Sequence, residues 1–291
     1  MIQGWPGKMM WAIALLVSGA STASSGPEAV YLPILVYHQI RESADGPPDS
    51  LEAISIERFE AQMGYLKEHG YVTLSAEETV AFVRGEATPV SKVVAIHFDD
   101  GWKSAQLAIP VLDRHDFKAT FWIIAGKGIG WPHMDWEEIQ SIARNPRYGI
   151  GSHSMTHPWK DGDTLLDWIE GHVPGKGERE VRWELAKSRQ TLEAQLRRPV
   201  PYFAWPRGIH SPSLVRLASE AGYLALFTVD DGVNRRGTDP LSMRRTMIHG
   251  SCDGRAFEQT LRDGVYRACD PVERSGAFTP VAQPAVGSQA K

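Results

Sequence analysis

Val93-Val94-Ala95-Ile96-His97-Phe98-Asp99-Asp100-Gly101-Trp102 is the stretch from which the fold can be read. An apolar run broken only by His97 ends abruptly on two carboxylates and a glycine, which describes a short strand stopped by a turn. The absence of polar alternation indicates a strand covered on both faces, the habit of parallel sheets. Adjacent carboxylates at the end of such a strand are costly to desolvate, so their presence points to use. The expected division is proton transfer for one and metal binding for the other.

Working outward, the same kind of strand recurs. Residues 31–38, 71–74, 119–124, 148–152, 202–205, 224–229 and 243–248 are short apolar segments, and helical patterns separate most of them. Ser55 precedes a helix closed by Gly70, Ser75 with Glu78 forms a capping box, and helices are expected over 103–114, 135–143 and 180–197 and after Ser211-Pro212. Residues 41–50 and 159–179 are polar, glycine-containing loops. This alternation predicts an α/β fold: a single-domain distorted (β/α) barrel of about seven to eight parallel strands, with its chemistry at the strand C-terminal ends. A doubly wound open sheet competes, but no Gly-x-Gly-x-x-Gly turn follows the first strand.

Composition narrows the class. The 291 residues are 42% hydrophobic and 23% charged with net charge −4, enough for a core and without a basic field for nucleic acid. Lys8, the apolar run 9–17 and small residues through Ser24 have the order of a secretory signal, with cleavage after Ala20 or Ala23. Residues 1–23 are therefore expected to be a signal peptide, and the run is too short for a stable membrane span. A secreted or periplasmic protein follows. In that compartment Cys252 and Cys269 either close a C-terminal loop as a disulfide or remain two thiols. Residues 271–291, rich in Pro, Ala, Gly and Ser, read as a disordered tail.

Chemistry-bearing groups gather at three strand ends: Asp99 and Asp100; His153 and His157 in Gly151-Ser152-His153-Ser154-Met155-Thr156-His157-Pro158; and the turn Trp205-Pro206-Arg207-Gly208. One carboxylate and two neutral imidazoles make a three-ligand site for Zn²⁺ or a similar divalent ion, with a position left for water. Two histidines four apart are a weak signal alone and a strong one beside a strand-terminal Asp-Asp-Gly.

The set resembles the polysaccharide deacetylases with NodB homology, the fourth carbohydrate esterase family. Their Thr-Phe-Asp-Asp-Gly motif stands here as His97-Phe98-Asp99-Asp100-Gly101, and their His-Ser-x-x-His motif is intact at 153–157. The resemblance implies a deacetylase domain over 31–270, with Asp99 the catalytic base and Asp100, His153 and His157 the metal ligands. It implies a divalent ion, Zn²⁺ first, with Co²⁺, Ni²⁺ or Fe²⁺ as alternatives. Val36-Tyr37-His38, Phe203-Ala204-Trp205-Pro206-Arg207-Gly208 and Asp239-Pro240 with Met243-Arg244-Arg245 are similar to segments of the branch acting on poly-N-acetylglucosamine exopolysaccharides. By that likeness His38 is the general acid and Arg245 holds the base. Trp205 and Arg207 then serve substrate and oxyanion binding.

The implied activity is metal-dependent removal of N-acetyl groups from an extracytoplasmic polysaccharide of the biofilm kind, by a monomer. Peptidoglycan, chitin oligomers and O-acetylated glycans are alternative substrates, and a non-catalytic carbohydrate-binding protein is the alternative of another class. Trp102, Trp131, Trp159 and Trp168 fall in or beside expected loops, where indole faces suit sugar rings. Three departures stand out. His97 replaces a usual Thr or Ser and shares the strand face of Asp99. Arg207 replaces an aromatic residue. His249 is a second candidate acid.

Overall fold

Strand alternation sorts Val93–Phe98 into two destinations. Val94, Ile96 and Phe98 join a large apolar cluster with helical residues such as Phe59, Met63 and Leu112, while Val93 and Ala95 join Leu32, Ile34, Trp122, Phe227 and Met243. The second cluster is the interior of a curled sheet, so the strand is buried on both sides, as its composition requires.

The computed structural model describes residues 30–42, 52–87, 92–248 and 254–267. The expected signal peptide and tail, His249, Cys252 and Cys269 lie outside them. The sheet strands are β1 (Ile34–Tyr37), β2 (Val72–Leu74), β3 (Val93–Phe98), β4 (Ala119–Ile123), β5 (Tyr148–Ser152), β6 (Tyr202–Ala204), β7 (Ala225–Phe227) and β8 (Thr246–Met247). Their order is β7-β6-β5-β4-β3-β1-β8, with β2 also paired to β3. Every pairing in this sheet is parallel. Met243 bridges to Phe227 at one edge, and Thr246 and Met247 pair with Leu35 and Val36 at the other. Segment 243–247 thus touches both edges and draws the sheet into a distorted (β/α) barrel.

The helices are α1 (Ile56–Glu68), α2 (Ala76–Val83), α3 (Ile109–His115), α4 (Trp136–Arg144), α5 (Leu165–Ile169), α6 (Glu178–Leu196), α7 (Pro212–Glu220) and α8 (Gly254–Asp263). Capping boxes at Ser75 and Asp135 start α2 and α4. Among the described residues no helix is long and apolar enough to cross a membrane.

Two expectations are corrected. The helix over 103–114 is a 3-10 turn at Lys103–Ala108 followed by α3. Pro110 is tolerated only in a first helical turn, so the α-helix has to restart there. Residues 159–179 are not a plain loop. They hold an antiparallel hairpin pairing Trp159 with Thr164 and Lys160 with Asp163, then α5. Thr164 caps α5 with Asp167, and Trp168, 4% exposed, donates from Nε1 to Asp163 Oδ1 at 2.6 Å.

Candidate active site

The chain leaves β3 through two left-handed residues, Asp100 (φ 69°) and Gly101 (φ 71°). The turn separates the two carboxylates. Asp99 keeps the interior parity of Val93, Ala95 and His97, while the turn brings Asp100 beside the histidines. Ser154 (φ 68°), His157 (φ 54°) and Arg207 (φ 53°) are also left-handed. Non-glycine residues in this region carry a cost of order 1–2 kcal/mol each. Their concentration in the loops after β3, β5 and β6 marks that end of the barrel as the strained, over-determined one.

Asp99 is 3% exposed and meets the fully buried Arg245 as a two-pronged ion pair, Nη1 to Oδ1 at 2.8 Å and Nη2 to Oδ2 at 2.9 Å. Arg245 Nε donates to the Thr228 carbonyl at 2.7 Å, which fixes the plane of the guanidinium. Burial alone would push the Asp99 carboxyl up; Arg245, then His153 and His38, outweigh it and bring the pKa down to about 2. Asp99 is therefore a carboxylate throughout the neutral range.

Asp100, His153 and His157 have ligand-type atoms all within 4.8 Å of one another. Asp100 Oδ1 lies 3.4 Å from His153 Nε2 and 3.3 Å from His157 Nε2. His153 Nδ1 is 2.8 Å from the Ala204 carbonyl, an acceptor, so it carries the proton there and leaves the Nε2 lone pair directed at Asp100 in the neutral ring. Asp100 Oδ1 is buried with no hydrogen-bond partner. A carboxylate oxygen facing imidazole lone pairs is the donor set that a divalent ion fits.

The electrostatics agree with that fit. Burial raises the Asp100 carboxyl, but His153 and His157 outweigh it and hold it below the ordinary range. Burial and the neighbouring His153 lower His157 to about 4, leaving a neutral ring. On His153 burial is outweighed by Asp99 and Asp100, which raise its pKa and so draw positive charge to this spot.

The other expected site residues fall into place unevenly. Tyr37 pairs with Phe98 and its carbonyl accepts the Asp99 N–H at 2.9 Å, so His38 follows β1 alongside Asp99. The charged form of His38 lowers the pKa values of Asp99, Asp100 and His157, and its Nδ1 is buried without a partner. Arg207 reaches away, donating from Nη1 to the Trp159 carbonyl at 2.9 Å and to Asp161 Oδ1 at 2.6 Å. Trp205 is a correction. It is fully buried, its ring packs edge-on against Phe203 at 4.9 Å, and its backbone N–H donates to the Phe227 carbonyl at 2.9 Å. Its indole belongs to the core and cannot line a groove. Of the four loop tryptophans, Trp131 and Trp159 are exposed, while Trp168 is buried.

His97 points into the barrel, wedged edge-on against Trp122 (5.2 Å) and Phe227 (5.3 Å). Burial, aided by Arg245, drives its pKa well down, and both ring nitrogens lack partners. It is a neutral core histidine.

Glu184 was not expected. Only 1% exposed, it accepts the N–H groups of Met155 and Thr156 at 2.9 Å each, and the Thr156 hydroxyl as well. It anchors the loop between the two histidines. Its signal was a carboxylate on the face of α6 that carries Val181, Leu185 and Leu192.

Residues 86–226 match the profile of the family described as polysaccharide deacetylase. The polysaccharide deacetylase homologue YxkH of Bacillus subtilis (strain 168) is 29% identical over 227 residues, covering 78% of this chain and 74% of its own. The poly-β-1,6-N-acetyl-D-glucosamine N-deacetylase of Escherichia coli (strain K12) is 21% identical over 69% of this chain, which spans only 34% of that protein. The solved structure of IcaB from Ammonifex degensii superposes with TM-score 0.69 at 26% identity, covering 81% of this chain and 97% of that one. His38 and Arg245 lie outside the matched segment, and the barrel brings both beside Asp99. By the profile match, residues 86–226 carry a polysaccharide deacetylase domain.

Proposed function

We propose that this deacetylase removes N-acetyl groups from an extracytoplasmic polymer of N-acetylglucosamine, poly-N-acetylglucosamine first, by metal-dependent hydrolysis. The observation that carries the reading is the Arg245-held Asp99 carboxylate, which lies 3.9 Å from His153 Nε2 and stands apart from the Asp100–His153–His157 group. Two adjacent aspartates thus have different partners, as a base and a ligand should.

Asp100, His153 and His157 would hold the divalent ion. When bound, it supplies Lewis acidity that polarises the acetyl carbonyl and makes water a nucleophile at neutral pH. Asp99 takes the proton of the attacking water, and Arg245 keeps Asp99 ionised and oriented for it. The Arg207 backbone N–H donates to the developing oxyanion; Pro206 has no N–H to give. As the C–N bond breaks, His38 protonates the departing amine, so the products are acetate and a free amino sugar. Export rests on the signal-like order of residues 1–23. The choice of glycan rests on the Escherichia coli relative's named substrate and on the Val36-Tyr37-His38 likeness.

Acetate release measured side by side on poly-β-1,6-N-acetylglucosamine, chitin oligomers, peptidoglycan and an O-acetylated glycan tests the substrate. The highest kcat/KM is expected on the first. Turnover of peptidoglycan alone would overturn the assignment.

A further inference from the structure

His153 and His157 each have an orienting partner: the Ala204 carbonyl for the His153 ring, and Glu184 for the loop that carries His157. Asp100 also needs one. A carboxyl group turns easily about its last torsion, and either oxygen could face the imidazoles.

We propose that Trp102, braced by His133, is the positioning residue that aims Asp100 at the metal; this rests on reading Asp100, His153 and His157 as ligands. Trp102 Nε1 donates to Asp100 Oδ2 at 3.1 Å. An indole N–H is a donor only, so it can hold a carboxylate oxygen but never compete as an acceptor. With Oδ2 engaged, Oδ1 is the oxygen left toward His153 and His157, at 3.4 and 3.3 Å and without a hydrogen bond of its own.

The indole is itself fixed. It stacks on the His133 ring at 4.3 Å with 24° between planes. The two backbones form an antiparallel bridge, flanked by the Met134 N–H on the Gly101 carbonyl (2.9 Å) and the Lys103 N–H on the Pro132 carbonyl (3.1 Å). Segment 130–134 is thereby fastened to the turn that ends β3. The relay runs from that segment through the indole to one carboxylate oxygen. Each ligand then has its own anchor on a different part of the barrel rim, and Trp102 touches the ligand without touching the reacting atoms.

The experiment measures Zn²⁺ affinity of the full-length protein by competition with a chromophoric chelator, with Co²⁺ absorption spectra as a second readout of coordination geometry. Trp102→Phe keeps the stacked ring and removes the N–H. Loss of an outer-shell partner typically weakens metal binding by about 10–100-fold, and that range is expected here with the metal-free melting temperature unchanged. If Trp102→Phe does not fold, His133→Ala leaves the hydrogen bond but loosens the indole, and a smaller loss with an altered Co²⁺ spectrum is expected. Affinities of Trp102→Phe and His133→Ala within about twofold of the parent would overturn the anchor role, while His153→Ala still abolishing binding would leave the ligand assignment standing. Equal Zn²⁺ affinity in the parent and His153→Ala would instead overturn the ligand assignment, and the anchor with it.

Discussion

Replacing Asp99 by Asn removes one charge and no volume, so it isolates what the ion pair with Arg245 contributes. In the parent, both terminal nitrogens of Arg245 are answered by Asp99, at 2.8 and 2.9 Å, and the side chain is 0% exposed. An asparagine can accept one of those bonds through its oxygen. Its NH₂ then faces a guanidinium N–H, donor against donor, and a cation is left buried with, among the described residues, the Thr228 carbonyl as its one other acceptor. Breaking a buried pair from one side costs about 3–5 kcal/mol. For a domain of this size that is a melting-temperature drop of about 6–20 °C. Pairing Asp99→Asn with Arg245→Met removes the stranded charge, so the double variant should be less destabilised than the two single losses added together.

Acid gives an independent arm of the same test. The folded pKa of Asp99 lies below its ordinary value, 3.8 falling to about 2. Its stabilisation is therefore complete above the unfolded value and is lost as pH falls toward about 2; the amount is about 2–3 kcal/mol. This is smaller than the cost of Asp99→Asn because protonation leaves a group that still hydrogen-bonds. Urea denaturation of parent and variant between pH 2 and 7 should show two curves that converge in acid. Curves that stay parallel, with melting temperatures within about 2 °C at pH 7, would refute the claim that this pair is buried and ionised.

His38→Ala should lower kcat by about 10²–10⁴-fold with Zn²⁺ affinity unchanged, whereas His249→Ala should leave kcat intact; the reverse pattern in single-turnover assays would move the acid to His249. Glu184→Gln replaces a carboxylate acceptor with an amide, weakening its hold on the Met155 and Thr156 N–H groups, and should reduce Zn²⁺ affinity before it alters the helical signal in circular dichroism. Gly151→Ala places a methyl 2.2 Å from Trp122 Cζ3, directly across the β4–β5 ladder, and should cost at least about 1–3 kcal/mol in urea denaturation.

Most of the barrel was legible because its strands are short, continuously apolar and bounded by glycine, proline or charge, a pattern local to each strand. Val93–Phe98 and Tyr148–Ser152 were readable for that reason, and the residues placed just past their ends are the ones brought together. The hairpin at 159–164 and α5 leave no periodic signature in the sequence, because elements of two to five residues are too short to have one. They are held by Trp168 and a capping box, not by an apolar stripe. An indole in a turn sequence gives no sign of which way its ring packs, so the burial of Trp205 is visible only in the folded barrel. The Asp99–Arg245 pair joins residues 146 positions apart, a distance no local pattern spans; only family likeness indicated it. Glu184 and Trp102 act through the ligands rather than on substrate, and their roles became visible only once those ligands had coordinates.

In the proposed mechanism Asp100, His153 and His157 hold a divalent ion with which Asp99 hydrolyses N-acetyl groups. The most direct test is acetate release from an N-acetylglucosamine oligomer by the parent protein, chelated and then reloaded with Zn²⁺ or Co²⁺, beside Asp99→Asn and His153→Ala. Release that chelation stops and the ion restores is expected, with no turnover in either variant under the same conditions. Undiminished release by the chelated parent, or by Asp99→Asn, would contradict the mechanism.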